Sequence, residues 1–288
     1  MRTVELNEEN YEKYRVFIGE DMAENLERIF YRGLLVLDDE QGEPLAGMIW
    51  ELLNTEDAEH TQSHIRWFSA ENEQEAALLF SVYKEKTAEE NVECSHVTIP
   101  AKKHSLHKQF LQQEGFSLAL MEGDEVLVHV SEILSMPILQ KRKRPSLYVH
   151  PLSELPLRSY RRVISTLVHL GMKGNCEDIS YLPRNYFDSD LSCYYEEQDS
   201  IQGMLLFHKT PSGHLELALL RAMPKKSKEM PQILLQLMAY CAGQMESLYP
   251  GDAIVAVNRH DQSSLLLTEK LFPRGFGRPV YSGSRKEK

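Results

Sequence analysis

The sequence predicts an α+β protein built from two tandem copies of one unit, each a mixed, mostly antiparallel sheet flanked by helices. Internal repetition is the first observation. Tyr14-Arg15-Val16 returns as Tyr160-Arg161-Arg162-Val163, Leu45-Ala46-Gly47-Met48 as Ile201-Gln202-Gly203-Met204, and Gly115-Phe116 as Gly275-Phe276. The spacings of 146, 156 and 160 residues grow in one direction. Loop insertions into the second copy produce such a drift, whereas chance matches scatter. Length is the second observation, because 288 residues exceed what one hydrophobic core usually organises. The third is that the same element order can be read in both halves. The expected division is a first unit over 1–134, a linker over 135–145 and a second unit over 146–288.

The first unit opens on a strand near Thr3 to Leu6, after which Asn7 caps a helix with Tyr11, Tyr14 and Phe17 at helical spacing. A compact apolar strand, Gly33 to Leu37, meets the polar run Asp38 to Glu43 with its single glycine, a hairpin signal leading into a strand from Leu45 to Leu53. A third strand is expected over His64 to Phe68. From Glu73 to Glu89, Ala76, Leu79, Tyr83 and Lys86 recur at intervals of three and four, which marks a long helix with one apolar stripe. Strand Cys94 to Ile99 and helix Lys103 to Glu114 follow, Gly115 stops the helix, and a last hairpin is expected through Gly123, ending near Val130.

The second unit repeats this order. Strand Leu147 to His150 and helix Leu157 to Leu170 precede an irregular stretch to Asp190. Three strands then follow, Leu191 to Glu197, Ile201 to Lys209 and His214 to Leu220, joined by turns at Gln198-Asp199-Ser200 and Pro211-Ser212-Gly213. Helix Pro231 to Leu248 places Leu234, Leu237, Cys241 and Met245 on one face. Strand Ala253 to Val257, helix Ser263 to Leu271 and a terminal strand from Phe276 complete it. Between the units, Gln140-Lys141-Arg142-Lys143-Arg144-Pro145 reads as a solvated basic linker, with contact to an acidic partner as the alternative.

A formal net charge of −11 and a pI near 5.5 argue against a general nucleic-acid or anionic-membrane binder, since both need an accumulated positive field. Cys94, Cys176, Cys193 and Cys241 form no C-x-x-C pair, so reduced thiols are expected, with neither a zinc ribbon nor a disulfide framework. The polar start of the chain has no signal-peptide core and no stretch approaches 18 apolar residues, which predicts a cytoplasmic protein. His104-x-x-His107 has no acidic third ligand near it in sequence, and no metal site is expected.

Val255-Ala256-Val257-Asn258, Ser264-Leu265-Leu266-Leu267, Glu269-Lys270-Leu271 and Gly275-Phe276 follow one another in the second half. They look like the strand, asparagine, helix and Gly-Phe stop that close a domain of the GNAT acyltransferase superfamily, two residues longer than usual at Phe272-Pro273. In the first half, Phe110 to Phe116 is similar to the same tail. The resemblance implies two tandem GNAT-like domains. It further implies that acetyl-CoA lies in a gap between two splayed parallel strands, its pantetheine arm along the third meander strand and its pyrophosphate on backbone N–H groups at the start of the next helix. The family's R/Q-x-x-G-x-G/A loop is missing here. Pro224-Lys225-Lys226-Ser227-Lys228-Glu229-Met230-Pro231 stands there in the second half and Ser69-Ala70-Glu71-Asn72-Glu73-Gln74-Glu75 in the first. Three glutamates satisfy a helix dipole themselves and repel an anion, so the first half is read as degenerate. In the second, Glu229 would put a carboxylate next to the pyrophosphate, and Lys225, Lys226 and Lys228 can compensate by pairing with phosphate directly; the alternative is an exposed basic turn.

Alternation along strand His214 to Leu220 sends Leu215, Leu217 and Leu219 to one face and Glu216 to the other. Glu216 is therefore the candidate general base, and the resemblance adds that GNAT enzymes often carry a glutamate in this strand; the alternative is a surface carboxylate. The family's acid tyrosine has no match. Tyr281 on the final strand is the candidate in its place, with Tyr194 and Tyr195 as others, against the alternative that all three are core residues. Leu219 and Arg221 on the third meander strand and Asn258 at the end of the next are candidates for cofactor contact, Asn258 serving otherwise as a strand-end turn. The expected function is acetyl-CoA-dependent N-acetylation of a small-molecule or peptide amine by the second half, without metal. The alternative is a catalytically silent ligand-binding or interaction protein. Oligomeric state stays open, because two copies can pair within one chain through meander edges or through terminal strands.

Overall fold

A computed structural model describes residues 1–7, 9–19, 31–54, 61–100, 105–140, 146–169, 182–210, 212–223, 227–258 and 277–287. Twelve strands are described: β1 (Arg2–Leu6), β2 (Tyr31–Leu37), β3 (Pro44–Asn54), β4 (Thr61–Ser69), β5 (Val92–Pro100), β6 (Ser117–His129), β7 (Val149–Pro151), β8 (Cys193–Glu197), β9 (Ser200–Lys209), β10 (Leu215–Ala222), β11 (Ile254–Asn258) and β12 (Gly277–Lys286). The helices are α1 (Arg15–Ile18), α2 (Glu73–Glu89), α3 (Ser105–Gln113), α4 (Val130–Leu134), α5 (Pro137–Gln140), α6 (Leu157–His169) and α7 (Met230–Leu248). The expected helix over Ser263 to Leu271 and the Gly275-Phe276 stop lie outside the described residues.

Each half contains the expected meander. In the first, β2, β3 and β4 pair antiparallel in succession, and β5 joins β4 in parallel; in the second, β8, β9 and β10 do the same, and β11 joins β10 in parallel. The β8–β9 turn places Gln198 and Asp199 at φ 52° and 57°, the left-handed pair that a tight hairpin requires. The repeated glycine also has a packing reason. A Cβ on Gly47 would lie 2.6 Å from the Trp67 ring, and one on Gly203 would lie 2.7 Å from Ile233 of α7.

The expected terminal hairpin through Gly123 is not formed. Ser117–His129 is one strand, and the sheet runs β1-β2-β3-β4-β5-β12-β6-β11-β10-β9-β8-β7 without a break. The end of the chain, β12, inserts between β5 and β6 of the first half, while the far end of β6 pairs with β11 of the second. The halves have exchanged their last strands. The turn signal survives as an irregularity: Leu120 to Asp124 on β6 stands opposite only Tyr281 to Pro279 on β12. Strand pairing on both sides outweighs the local preference of one Gly-Asp pair.

The cores follow the exchange. The first, under α2, gathers Met48, Trp50, Phe80, Tyr83 and Phe116, with Tyr281 from the end of the chain packed against it. The second, under α7, takes Val126, Val128 and Val130 from the first half to join Leu205, Leu237 and Cys241. On the opposite face of the second meander, α6 buries Tyr160, Val163, Ile164 and Leu167, in a cluster that also holds Leu53 from β3. The last residues are fastened as well. Arg285 donates to the Glu114 carbonyl at 3.1 Å and lies 4.8 Å from the Phe116 ring centroid, and Glu287 accepts from the buried Ser95 hydroxyl.

Candidate functional site

The two parallel pairs part company after a short run. In the first half β4 and β5 pair from Thr61–Val92 to Ile65–Val97, and in the second β10 and β11 pair only at Leu215–Val255 and Glu216–Ala256. Both third meander strands are kinked where the gap opens. Arg66 is the extra residue between Ile65 and Trp67, and Ala218 the extra residue between Leu217 and Leu219. A bulge adds one residue and reverses the side-chain parity beyond it. This corrects the simple alternation expected for β10: Leu215 and Leu217 pack toward α7, but Leu219 packs in the α6 cluster on the side of Glu216.

Glu216 stands at the apex of the second gap and is buried. Its Oε2 lies 3.1 Å from Nη1 of Arg66, the bulge residue at the apex of the first gap. Arg66 donates from Nε to Glu51 on β3 at 2.8 Å and from Nη2 to the Tyr186 hydroxyl at 3.0 Å. Tyr186 in turn donates to Glu51 at 3.0 Å. His208 of β9 reaches Glu51 Oε1 with Nε2 at 2.7 Å and the Tyr186 carbonyl with Nδ1 at 2.9 Å, its ring stacked on that of Tyr186 at 3.7 Å. Both of these partners are acceptors, so the network is complete when both ring nitrogens carry hydrogen.

Glu51 and Arg66 come from the first half and His208 and Glu216 from the second, and Glu51 and His208 have no exposed surface. Burial by itself would raise the Glu51 carboxyl. The charges of Arg66 and His208, the hydrogen bond from His208 and the nearby His64 overcome it and hold Glu51 far below the ordinary carboxylate range.

The helix starts differ between halves. At α2 the Asn72 side chain accepts from Glu75 N at 3.0 Å, and Glu75 Oε2 accepts from Glu71 N at 3.0 Å. A buried carboxylate thus takes the N–H that an anion would use. Beyond the gap, His107 of α3 contacts the Ala70 carbonyl at 3.2 Å, and its ring lies 4.8 Å from that of Phe68, tilted by 55°. The start of α2 does not fit a phosphate. At the start of α7, Glu229 is the N-cap residue and makes no side-chain cap bond, Pro231 stands in the first turn, and Lys228 is exposed. The Glu229 carboxylate and the missing Pro231 N–H oppose an anion at this helix start, exposed Lys228 favours one, and it is the gap beside Glu216 that fits an acyl-CoA cosubstrate in the second half.

The other expected site residues scatter. Tyr281 lies on β12 between β5 and β6, against the first core and beneath Lys108 Nζ at 4.4 Å from its ring. Strand exchange has carried it into the first half, which corrects its expected place beside Glu216. Leu219 is a core residue rather than a cleft-lining one, and Arg221 is half-buried opposite Met204. Tyr195 packs in the α7 core and Tyr194 in the α6 cluster. Asn258 ends β11 opposite Glu125 of β6. Lys225 and Lys226 lie outside the described residues. A groove of about 1340 Å³ runs along α7, lined by Tyr148, Tyr195, Glu197, Glu229, Gln236 and Tyr240 among others. It opens on the α7 side of the sheet, away from the face that carries Glu216. Among the described residues no group of three or more metal-ligating side chains gathers.

Glu51, Arg66, Tyr186 and His208 were not singled out by sequence. Glu51 and Arg66 sit in strands whose other face is apolar, a parity that reads as solvent exposure. Only the facing of one meander by the other buries them.

Comparison with solved structures finds proteins of similar fold. The chain is similar to a tandem GNAT protein from the clavulanic acid biosynthesis pathway, with 10% identity and a TM-score of 0.60 over 100% of this chain and 98% of that one. A Drosophila protein matches with 8% identity and a TM-score of 0.59 over 99% of both chains. A GCN5-related N-acetyltransferase from Sphaerobacter thermophilus matches with 12% identity and a TM-score of 0.51, over 93% of this chain and 85% of that one. No family model and no curated protein matches the sequence. Likeness at these identities is likeness of fold, and the chain has the tandem GNAT fold.

Proposed function

We propose that the second half binds acetyl-CoA and transfers its acetyl group to the amine of a small molecule or peptide, while the first half is closed to the nucleotide. The observation that carries this reading is the gap after Glu216–Ala256, with a buried carboxylate at its apex. The amine nitrogen attacks the thioester carbonyl carbon, the C–S bond breaks, and the amine proton passes to Glu216 or to a water that Glu216 orients. The leaving thiolate takes its proton from solvent, because Tyr281 belongs to the first half. Lys228, with Lys225 and Lys226, would meet the pyrophosphate. The free thiols of Cys94, Cys193 and Cys241 support a cytoplasmic setting. Among the described residues no helix is long and apolar enough to cross a membrane.

A second reading, a catalytically silent ligand-binding or interaction protein, is favoured by one observation: Arg66 already engages Glu216. Calorimetric titration of acetyl-CoA, followed by assay of free CoA release over a panel of polyamines, aminoglycosides and lysine peptides, separates the two. Binding with amine-dependent release supports the transferase. Absence of binding supports the silent protein.

A further inference from the structure

The bulge residue of one half meets the gap-apex residue of the other. Arg66 leaves β4 one residue beyond the last β4–β5 pair, Glu216 forms the last β10–β11 pair, and the two side chains are 3.1 Å apart. A long side chain placed at random on a strand would lose rotamer freedom in holding such a position. Arg66 is held by others instead: Glu51 takes its Nε–H, the Tyr186 hydroxyl takes an Nη2–H, and Glu51 is itself fixed by His208. The planar fork therefore arrives at Glu216 already oriented.

We propose that Arg66 is a positioning residue for Glu216, so that the first half, closed to the nucleotide, completes the site of the second. The inference rests on the transferase reading above and goes beyond it by assigning the first half a task. Glu51 anchors Arg66 from one side and Tyr186, itself a residue of the second half, from the other. The shared guanidinium also brings a positive charge to the gap, 3.1 Å from the Glu216 carboxylate. A lysine at position 66 would keep the charge and lose the fork, since an ammonium cannot bond Glu51, Tyr186 and Glu216 in one plane. Replacement by glutamine removes both.

The test uses the full chain as wild type, Arg66→Lys and Arg66→Gln, with acetyl-CoA and the amine found most active in the panel. Acetyl-CoA affinity is measured by calorimetry, and kcat and the amine KM by free CoA release. The expected result is an acetyl-CoA Kd within about twofold of wild type in both variants, and a kcat reduced roughly tenfold in Arg66→Lys and roughly hundredfold in Arg66→Gln, the range in which a misplaced catalytic group shows itself. The amine KM should move far less than kcat. Arg66→Lys keeps the buried charge and serves if Arg66→Gln does not fold. Unchanged kcat in a folded Arg66→Lys protein overturns the positioning role while leaving the transferase reading intact. Wild-type protein that binds no acetyl-CoA, or binds it without turnover, overturns both at the first step.

Discussion

Glu51→Gln tests the ionic cluster most sharply, because the substitution keeps the shape and removes one charge from a site with no exposed surface. Arg66 at 2.8 Å and His208 at 2.7 Å lose their shared anion. Removing one partner from a buried ion pair costs about 3–5 kcal/mol. At about 2–4 °C per kcal/mol for a chain of this class, Tm should fall by roughly 6–20 °C. The dependence on pH has a definite sign. Glu51 is more acidic folded than unfolded, so its carboxylate stabilises the fold above its unfolded value near 4.5, and this contribution is lost as pH falls below it. The stability gap between wild type and Glu51→Gln should therefore be constant near neutrality and narrow by about 1.4 kcal/mol for each unit below 4.5. Urea unfolding followed by tryptophan fluorescence measures it, since Trp50 and Trp67 flank the cluster on β3 and β4. A loss under about 1 kcal/mol, or a gap that does not change between pH 7 and pH 3.5, would refute the reasoning that this cluster is a buried ionic unit.

The exchange of strands predicts that a chain ended at Phe276 loses the first half as well as β12, because β5 and β6 have no contact of their own in the sheet order; a native tryptophan spectrum in that truncation would contradict it. Replacing Lys225, Lys226 and Lys228 with alanine should weaken acetyl-CoA binding and flatten its salt dependence, whereas unchanged affinity in calorimetry would remove these lysines from the site. Glu216→Gln should leave acetyl-CoA affinity nearly unchanged and lower turnover roughly hundred- to ten-thousandfold. Wild-type kcat in that variant would end its role in proton transfer.

Where local pattern and tertiary need agreed, the sequence was legible to the residue. The three-and-four spacing of Ala76, Leu79 and Tyr83 marked a helix from Glu73 to Glu89, and that is where α2 lies. The glutamate run before it was readable as a poor anion site, and Glu75 does take the Glu71 N–H. The expected hairpin at Gly123 failed because a turn signal is local, whereas β6 is paired by β11 and β12, which lie more than a hundred residues further along the chain. The bulge at Ala218 left no mark in an unbroken run of apolar residues, and it moved Leu219 to the other face.

The sequence by itself determined that one unit is written twice, where its meanders and long helices fall, and that Glu216 stands on the face opposite Leu215. These follow from periodicity, turn chemistry and repetition, which are properties of neighbours along the chain. Tertiary structure alone decided what Glu216 faces. The apposition of the two meanders turned Glu51 and Arg66 from outward-pointing strand residues into members of a buried cluster with His208 and Tyr186. Strand exchange likewise moved Tyr281 out of the half in which it is encoded. Both depend on contacts between residues far apart in sequence, formed by the burial of surfaces whose partner no local pattern names.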